Sequence, residues 1–311
     1  MLTFMLSVPT HNPIDTEGFI AALNSQSSKP IQLLILDSCS NDHTRKLFED
    51  YGAEVHLIKE AEFDHGSTRQ VAVNICAQHT DIILFMTQDA LLADKLALER
   101  LVNVFSDKTI GAAYGRQLPR KDADPIEAHA RIFNYPPGNQ LKSLADSKKL
   151  GIKTCFLSNS FAAYRVSALQ EIGGFPVKNI VSEDTYVAAK MLQAGWKIKY
   201  CADATVYHSH NYTIRQELQR YFDLGVFHSR EPWIRRQFGE AEGEGRRLIA
   251  SQMRYLIKHN ICLIPSALLR TVFKYLGFRL GFCEALLPNK IKLCLSMQKH
   301  YWVNNERERG C

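Results

Sequence analysis

Residues 81–92 read DIILFMTQDALL, an apolar run that is followed by a single acid, Asp89. A continuous apolar run of this length, bounded by polar residues, is typical of a buried strand. The acid then either begins the next turn or binds something that needs a negative ligand. The stretch therefore predicts a core strand that delivers a charge to the edge of a sheet.

The same pattern recurs through the first hundred residues. Strand-like runs lie at 3–10, 31–38, 53–59 and 81–87, and helical spacing lies at 15–26, 42–52, 67–79 and 94–107. Strands that alternate with helices predict an α/β fold, with a Rossmann-like, mostly parallel sheet covered on both faces. Ligands of such sheets bind beyond the carboxyl ends of the strands, so we expect the polar residues there to share one edge.

Composition indicates a packed protein with a basic C-terminal part. The 311 residues are 46% hydrophobic and 23% charged, which excludes extended disorder. Residues 245–311 hold twelve Lys and Arg against three acids, a charge of +9 within a chain total of +6. The eight cysteines form no CxxC pair, which disfavours a zinc module and fits a reducing compartment.

The second half of the chain departs from the simple alternation. Residues 115–151 are rich in Pro, Gly and charge, and they predict a long, partly mobile segment over the sheet edge with one helix near 125–133. Beyond it we expect a strand, a helix, a strand and then mostly helices, at 155–166, 182–196, 197–212 and from 213 onward.

Seven motifs in consistent order resemble those of the inverting family-two glycosyltransferases. They are SVPTHN, ILDSCSND, EFDHGSTRQVAVN, FMTQDA, FLSNSFAAYRVSALQEIGGFP, SEDTYVAAKMLQAGWKI and VYHSHNY. The chain is most similar to bacterial rhamnosyltransferases of surface-polysaccharide (O-antigen-type) synthesis. The resemblance implies a GT-A domain over residues 1–230, followed by a helical region over 231–311. It also implies a nucleotide-sugar donor, dTDP-L-rhamnose or alternatively a UDP-linked sugar, and a divalent metal, Mg²⁺ or Mn²⁺.

The resemblance assigns the metal to Asp89. Mg²⁺ and Mn²⁺ take oxygen ligands and often use only one or two carboxylates besides phosphate oxygens. The family commonly carries two acids as DxD, but Thr87 occupies the first of these positions, so we expect a weakly held metal that is present mainly with the nucleotide sugar. His208, ahead of His210, is a further candidate ligand. Alternatively, Asp89 begins a turn and His208 is structural.

Residues that bind the nucleotide sugar are expected where the strands end. Asp37 is placed to accept a hydrogen bond from the base, although an Asx turn in DSCSND would also explain it. Pro9 and Thr10 are expected to line the nucleoside pocket through backbone atoms, and Thr87 and Gln88 to lie beside it.

The loop HGSTRQ (65–70) is a candidate diphosphate site. His65 and Gly66 lie at an expected helix start, where free N–H groups and the helix dipole favour anions. Arg69 would add a charge-assisted hydrogen bond. A Gly-Ser helix start is also common without any ligand, and His65 is equally typical of a surface.

The motif SEDT (182–185) is where we place the catalytic base. An inverting transfer needs a carboxylate that takes the proton of the acceptor hydroxyl. Related enzymes use the acid of an ED pair, which favours Asp184 over its neighbour Glu183. Alternatively, Ser182 caps the helix and both acids stabilise its first turn.

The C-terminal region alternates apolar clusters with basic residues, which are Arg254, Lys258, Arg270, Lys274 and Arg279. This pattern is typical of helices that lie in a membrane interface with their basic groups toward anionic lipid. The alternative is a helical layer with a basic outer face, which would also suit a homodimer. No uncharged run reaches the roughly 18 residues that a spanning helix needs, and no motif indicates nucleic acid.

Together these features predict a metal-assisted glycosyltransferase on the inner face of the bacterial cytoplasmic membrane. The resemblance implies a polyprenol-linked or oligosaccharide acceptor. The competing hypothesis is a non-catalytic scaffold that binds nucleotide sugars at the membrane. The presence of both Asp89 and Asp184 favours the enzyme.

Overall fold

The computed structural model describes residues 2–59, 63–239 and 243–303. Its strands are β1 (Phe4–Thr10), β2 (Gln32–Asp37), β3 (Glu54–Leu57), β4 (Ile82–Met86), β5 (Leu91–Leu92), β6 (Ile110–Leu118), β7 (Gln140–Lys142), β8 (Phe161–Arg165) and β9 (Lys197–Tyr207). Its helices are α1 (Thr16–Asn24), α2 (Thr44–Tyr51), α3 (His65–Cys76), α4 (Ala97–Asn103), α5 (Pro125–Asn134), α6 (Ser147–Leu150), α7 (Val166–Glu171), α8 (Glu183–Gln193), α9 (Ile214–Arg230), α10 (Pro232–Phe238), α11 (Glu244–His259), α12 (Ile264–Phe282) and α13 (Asn289–Leu295).

One mixed sheet organises these elements. Its strand order is β3-β2-β1-β4-β8-β6-β9, and β5 and β7 share the outer edge of β9. The strands β1 to β4, β6 and β9 run in one direction, whereas β5, β7 and β8 run against them. The predicted α/β fold with a mostly parallel sheet is confirmed, and β1 to β4 are the four strands that were expected in the first hundred residues.

Both faces of the sheet are buried. Along β4, Ile83 and Phe85 belong to the core on one face, and Ile82, Leu84 and Met86 belong to the core on the other. Successive side chains of a strand point to opposite faces, so an uninterrupted apolar strand needs cover on both sides. Helices supply that cover.

Residues 110–118 form a central strand that the sequence did not predict. A Cβ atom on Gly115 would lie 2.2 Å from Cδ1 of Phe161 and 2.6 Å from the carbonyl oxygen of Ala204. Gly115 therefore makes room for the Phe161 ring. Glycine is rare in strands, so it weakens the β-branched and aromatic pattern by which a strand is recognised in a sequence. The segment predicted as partly mobile, 115–151, begins as this strand and goes on to α5, the helix expected there, and to β7.

The C-terminal region is helical, as predicted, and α12 packs backbone to backbone against α9. A Cβ on Gly281 would lie 1.9 Å from the carbonyl oxygen of Phe222, and a Cβ on Gly277 would lie 2.3 Å from that of Leu218. Glycines allow two helices to approach this closely. The expected domain boundary at residue 230 thus coincides with the end of a helix that holds the C-terminal region.

We predict that Gly281→Ala destabilises the protein by about 1–3 kcal/mol, because its methyl group would force α12 away from the Phe222 carbonyl. Urea denaturation measures the free energy of unfolding. Gly245→Ala is the matched control, since Gly245 has open space around the position of a Cβ. Equal stability of the two variants would contradict the close packing of α9 and α12.

Candidate active site

Several loops meet at one edge of the sheet. Met86 at the end of β4 pairs with Phe161 at the start of the antiparallel strand β8. Leu118 at the end of β6 pairs with Tyr207 at the end of β9. The residues just beyond these pairs therefore share the edge that was expected to bind ligands. They include 87–90, 156–160 and 208–212.

One acid and two imidazoles form a compact group at this edge. The Nε2 atoms of His208 and His210 each lie 3.3 Å from Oδ2 of Asp89. One ligand atom from each of the three residues lies within 4.8 Å of the others. We call these residues the cation group, because their atoms are spaced to converge on a single ion.

Electrostatics favour the cation-binding forms of Asp89 and His210. Burial alone would raise the pKa of Asp89, but the hydrogen bond and charge of His208 outweigh it and hold that pKa far below its usual range. Burial, together with the nearby His208, lowers the pKa of His210 to about 4. At neutral pH, Asp89 is therefore a carboxylate and His210 is uncharged.

This set of ligand atoms fits a divalent transition metal. Mg²⁺ prefers oxygen ligands, whereas imidazole nitrogen suits transition metals. The three residues offer one ligand atom each, so about half of the six positions of an octahedral ion remain open for phosphate oxygens. The choice between Mn²⁺ and Mg²⁺ stays a prediction.

The two adjacent acids at the start of α8 have different surroundings. Glu183 is buried, with Oε1 at 2.8 Å from Nη1 of Arg69 and accepting a hydrogen bond from Nδ2 of Asn159 at 2.9 Å. Asp184 accepts hydrogen bonds from the backbone N–H of Thr185 at 2.7 Å and of Asn159 at 3.3 Å. Glu183 is thus paired with a cation, whereas the hydrogen-bond donors to Asp184 among the described residues are neutral.

This difference separates their proton affinities. Burial, with the charge of Glu183, raises the pKa of Asp184 to about 7. Burial acts on Glu183 as well, but Arg69 and then His65 outweigh it and lower its pKa. A carboxylate with a pKa near the working pH is well suited to general base catalysis.

The backbone before these acids is strained. Ser182 has a φ of +64°, a left-handed conformation that residues other than glycine rarely adopt. Ser182 occupies the N-cap position of α8, but its side chain makes no capping hydrogen bond, so the alternative in which it caps the helix gains no support. Strain of this kind persists where the surroundings fix a functional geometry.

The base and the cation group belong to one hydrogen-bond network. The backbone of Asn159 contacts Asp184, and the preceding Ser158 accepts a hydrogen bond from Nε2 of Gln117 at 2.9 Å. Oε1 of Gln117 lies 2.9 Å from Nδ1 of His208, a member of the cation group. The two halves of the site therefore lie on the same side of the molecule.

The candidate diphosphate loop has partners within the protein. Arg69 donates to the carbonyl of His65 at 2.9 Å besides pairing with Glu183. A Cβ on Gly66 would lie 2.0 Å from the carbonyl oxygen of Pro176, so close packing requires this glycine. The side chain of Asp64 caps the helix at 2.7 Å from the N–H of Ser67. Contact of this loop with a diphosphate stays a prediction.

The candidate nucleoside residues hold the first strand ends together. Asp37 is fully buried and accepts hydrogen bonds from the Thr10 hydroxyl at 3.3 Å, from the Ser40 N–H at 3.0 Å and from the Ser40 hydroxyl. This arrangement favours the turn that was the alternative interpretation. Gln88 binds both backbone groups of His11, at 2.6 and 3.1 Å.

The remaining candidates for binding the nucleoside, Thr87 and Pro9, make fewer contacts within the protein. The buried hydroxyl of Thr87 interacts with Asp89 and helps to lower the pKa of that carboxyl, and Pro9 is half-buried beside Thr10. Their contact with a nucleotide sugar stays a prediction.

Three residues of the candidate site were not recognised, or were ranked too low, from the sequence. His210 was ranked behind His208, although residues two apart in an extended chain face the same side. Asn159 and Gln117 were not singled out, and no local pattern marks either one. Their roles arise from contacts with residues 24 and 91 positions away along the chain.

Comparison with known proteins agrees with the fold. Residues 7–173 match the family described as Glycosyl transferase family 2. The O-antigen chain rhamnosyltransferase WbaN of Salmonella anatum is 48% identical over 98% of this chain and 97% of its own. RfbN of Salmonella typhimurium LT2, with the same description, is 48% identical over 96% of both chains.

A solved structure shares the fold. The mannosyltransferase PcManGT from Pyrobaculum calidifontis, in complex with GDP-Man and Mn²⁺, superposes with a TM-score of 0.57 at 18% identity. The match covers 99% of this chain and 86% of that chain. The architecture is the GT-A fold that the motifs implied, and this chain belongs to glycosyltransferase family 2.

Proposed function

We propose that this enzyme transfers L-rhamnose from dTDP-L-rhamnose, with inversion, to a lipid-linked glycan of O-antigen-type polysaccharide. The mechanism rests on Asp184, a half-buried carboxylate whose pKa is raised to about 7 and which hydrogen bonds through Asn159, Ser158 and Gln117 link to the cation group. The rhamnosyltransferase relatives support the choice of sugar.

The cation group would bind the metal that assists departure of the nucleotide. When bound, Mn²⁺ neutralises the negative charge that develops on the diphosphate. Asp89 supplies a carboxylate oxygen, and His208 and His210 supply Nε2 atoms.

Asp184 would act on the opposite side of the sugar. Its carboxylate takes the proton of an acceptor hydroxyl while the hydroxyl oxygen attacks the anomeric carbon. The bond from that carbon to the diphosphate oxygen breaks, the configuration inverts and the proton remains on Asp184. The N–H groups of Asn159 and Thr185 hold the carboxylate in place.

Asp184→Asn should lower the transfer rate at least about a hundred-fold, the scale of general base catalysis, and leave dTDP affinity unchanged. In the unchanged enzyme, kcat/KM should fall as the pH drops below about 7, because protonated Asp184 cannot accept a proton. Radiolabelled transfer and calorimetry with dTDP measure the two properties.

Glu183→Gln is the informative companion variant. It removes the negative charge that helps to raise the pKa of Asp184, so the acidic limb of its pH profile should move to lower pH. The assignment of Asp184 as the base would be contradicted if the acidic limb of the pH profile did not move in Glu183→Gln. Transfer that survives in Asp184→Asn would contradict it as well.

Asp89→Asn should abolish the gain in dTDP affinity that Mn²⁺ provides over EDTA, because it removes the only carboxylate of the cation group. Calorimetric titration with dTDP in each buffer measures that gain. Asp81→Asn, at the opposite end of β4, is the control and should keep it. An undiminished Mn²⁺ effect in Asp89→Asn would exclude Asp89 as a ligand.

The membrane part of the proposal rests on an exposed apolar surface. Among the described helices, one that covers Ile261–Phe282 is long and apolar enough to cross a membrane. We call its exposed side the apolar face of α12, formed by Leu268, Leu269, Val272, Tyr275, Leu276, Leu280 and Phe282.

The contacts of α12 favour a position along the bilayer surface. Its glycine side is packed against α9, and Lys274 lies 3.0 Å from Glu217 of that helix, with Arg270 at 3.9 Å. The expectation that Arg270 and Lys274 face lipid is therefore wrong: they stabilise a buried acid. A helix fixed along one side to the catalytic domain can insert only its other side.

Charge also favours an anionic bilayer. Residues 245–303 contain a single acid, Glu284, which is buried between Arg230 and Lys292 at 2.8 and 2.6 Å. Arg254, Lys258 and Arg279 remain exposed. The surface around the apolar face is thus positively charged, as attraction to anionic lipid requires.

We predict that the protein sediments with vesicles of anionic phospholipid. Leu269→Glu combined with Leu276→Glu should weaken this binding at least about ten-fold, since two large side chains no longer enter the apolar layer. Ile14→Glu, a fully exposed position far along the chain, is the control. Undiminished vesicle binding by the double variant, or a dimer that buries this face, would contradict the proposal.

A further inference from the structure

A buried amide lies between the cation group and the loop that binds Asp184. Gln117, the penultimate residue of β6, is only 2% exposed. Its Oε1 lies 2.9 Å from Nδ1 of His208 and accepts a hydrogen bond from Nη1 of Arg131 at 2.6 Å. Its Nε2 donates to the Ser158 hydroxyl at 2.9 Å. Every polar atom of this side chain therefore has a partner in the site.

Arg131 determines which end of the amide faces His208. A guanidinium only donates hydrogen bonds, so the Gln117 atom that it contacts must be the oxygen. The same oxygen faces Nδ1 of His208, so Nδ1 must carry a hydrogen. Glu127, one turn earlier on α5, holds Arg131 by accepting from its Nε at 2.7 Å.

The proton on Nδ1 decides what the other ring nitrogen can do. A neutral imidazole has one N–H group and one lone pair. In the metal-bound state, the hydrogen on Nδ1 leaves the lone pair on Nε2, and the ion takes the place of the Nε2 hydrogen that otherwise bonds to Asp89 at 3.3 Å. Partners of this kind commonly orient a metal-binding histidine and hold it in the required tautomer.

We infer that Gln117, oriented by Arg131, is a positioning residue that fixes His208 in its metal-binding tautomer. The same side chain donates a hydrogen bond to Ser158 and so stabilises its loop. The next residue of that loop, Asn159, binds Asp184. The inference rests on the proposed role of the cation group. Gln117, on β6, would position His208 without being a metal ligand or the catalytic base itself.

The test compares two substitutions of similar size. Gln117→Met removes both acceptor contacts, and the Mn²⁺-dependent gain in dTDP affinity should fall ten- to a hundred-fold. Gln117→Glu keeps an oxygen acceptor for both Arg131 and His208, so most of the gain should remain. Calorimetry with dTDP in Mn²⁺ and in EDTA gives the gain without any measurement of catalysis.

Arg131→Met provides a second, independent measurement. It leaves Gln117 in place but allows the amide to rotate. The Mn²⁺-dependent gain in dTDP affinity should therefore lie between that of the unchanged protein and that of Gln117→Met. Nitrogen-15 spectra of the His208 ring should show Nδ1–H in the unchanged protein and a mixture of tautomers in Arg131→Met. A single Nδ1–H tautomer and full gain in Arg131→Met would overturn the inference.

The control and the outcomes separate this inference from the proposed function. Gln252→Met replaces another buried glutamine, on α11, and should leave the Mn²⁺ gain unchanged. Full gain in folded Gln117→Met would overturn the positioning role alone. If Gln117→Glu loses the Mn²⁺ gain as completely as Gln117→Met does, the positioning role is also overturned. Absence of any Mn²⁺ gain in the unchanged protein would overturn both.

Discussion

The buried ion pair between Arg69 and Glu183 is the interaction on which the rest of the site depends. It joins α3, the helix between the parallel strands β3 and β4, to the start of α8. Removing one partner of such a pair leaves an uncompensated buried charge, which is strongly destabilising. The pair therefore fixes the position of α8, and it also keeps a negative charge beside Asp184.

That charge gives the neighbouring acid its chemical character. Two adjacent carboxyl groups, one buried and one half-buried, cannot both ionise easily, and Arg69 favours ionisation of Glu183. The folded protein holds the Asp184 proton more tightly than the unfolded chain does. Ionisation of Asp184 therefore costs stability, and this cost grows as the pH rises from the unfolded pKa toward about 7. The strained φ of Ser182 adds to the same functional cost.

The sequence predicted the parts of the site that follow from local patterns. Apolar runs that end in polar residues located β1, β2 and β4, and the parallel alternation placed Asp89 at the ligand-binding edge. The strand β6 escaped prediction because Gly115 is selected by the closeness of Phe161, which no local pattern records. The internal partners of Arg69 and Lys274 were equally hidden, since each lies far along the chain from its acid.

The proposed mechanism requires the cation group and Asp184 to lie on opposite sides of one bound nucleotide sugar. Anomalous diffraction from Mn²⁺ in a crystal with dTDP tests it most directly. We expect the Mn²⁺ peak between Asp89 and His208, in contact with the diphosphate, with the Asp184 carboxylate across the vacant sugar position. A metal bound elsewhere, or an Asp184 that does not face the diphosphate, would contradict the account.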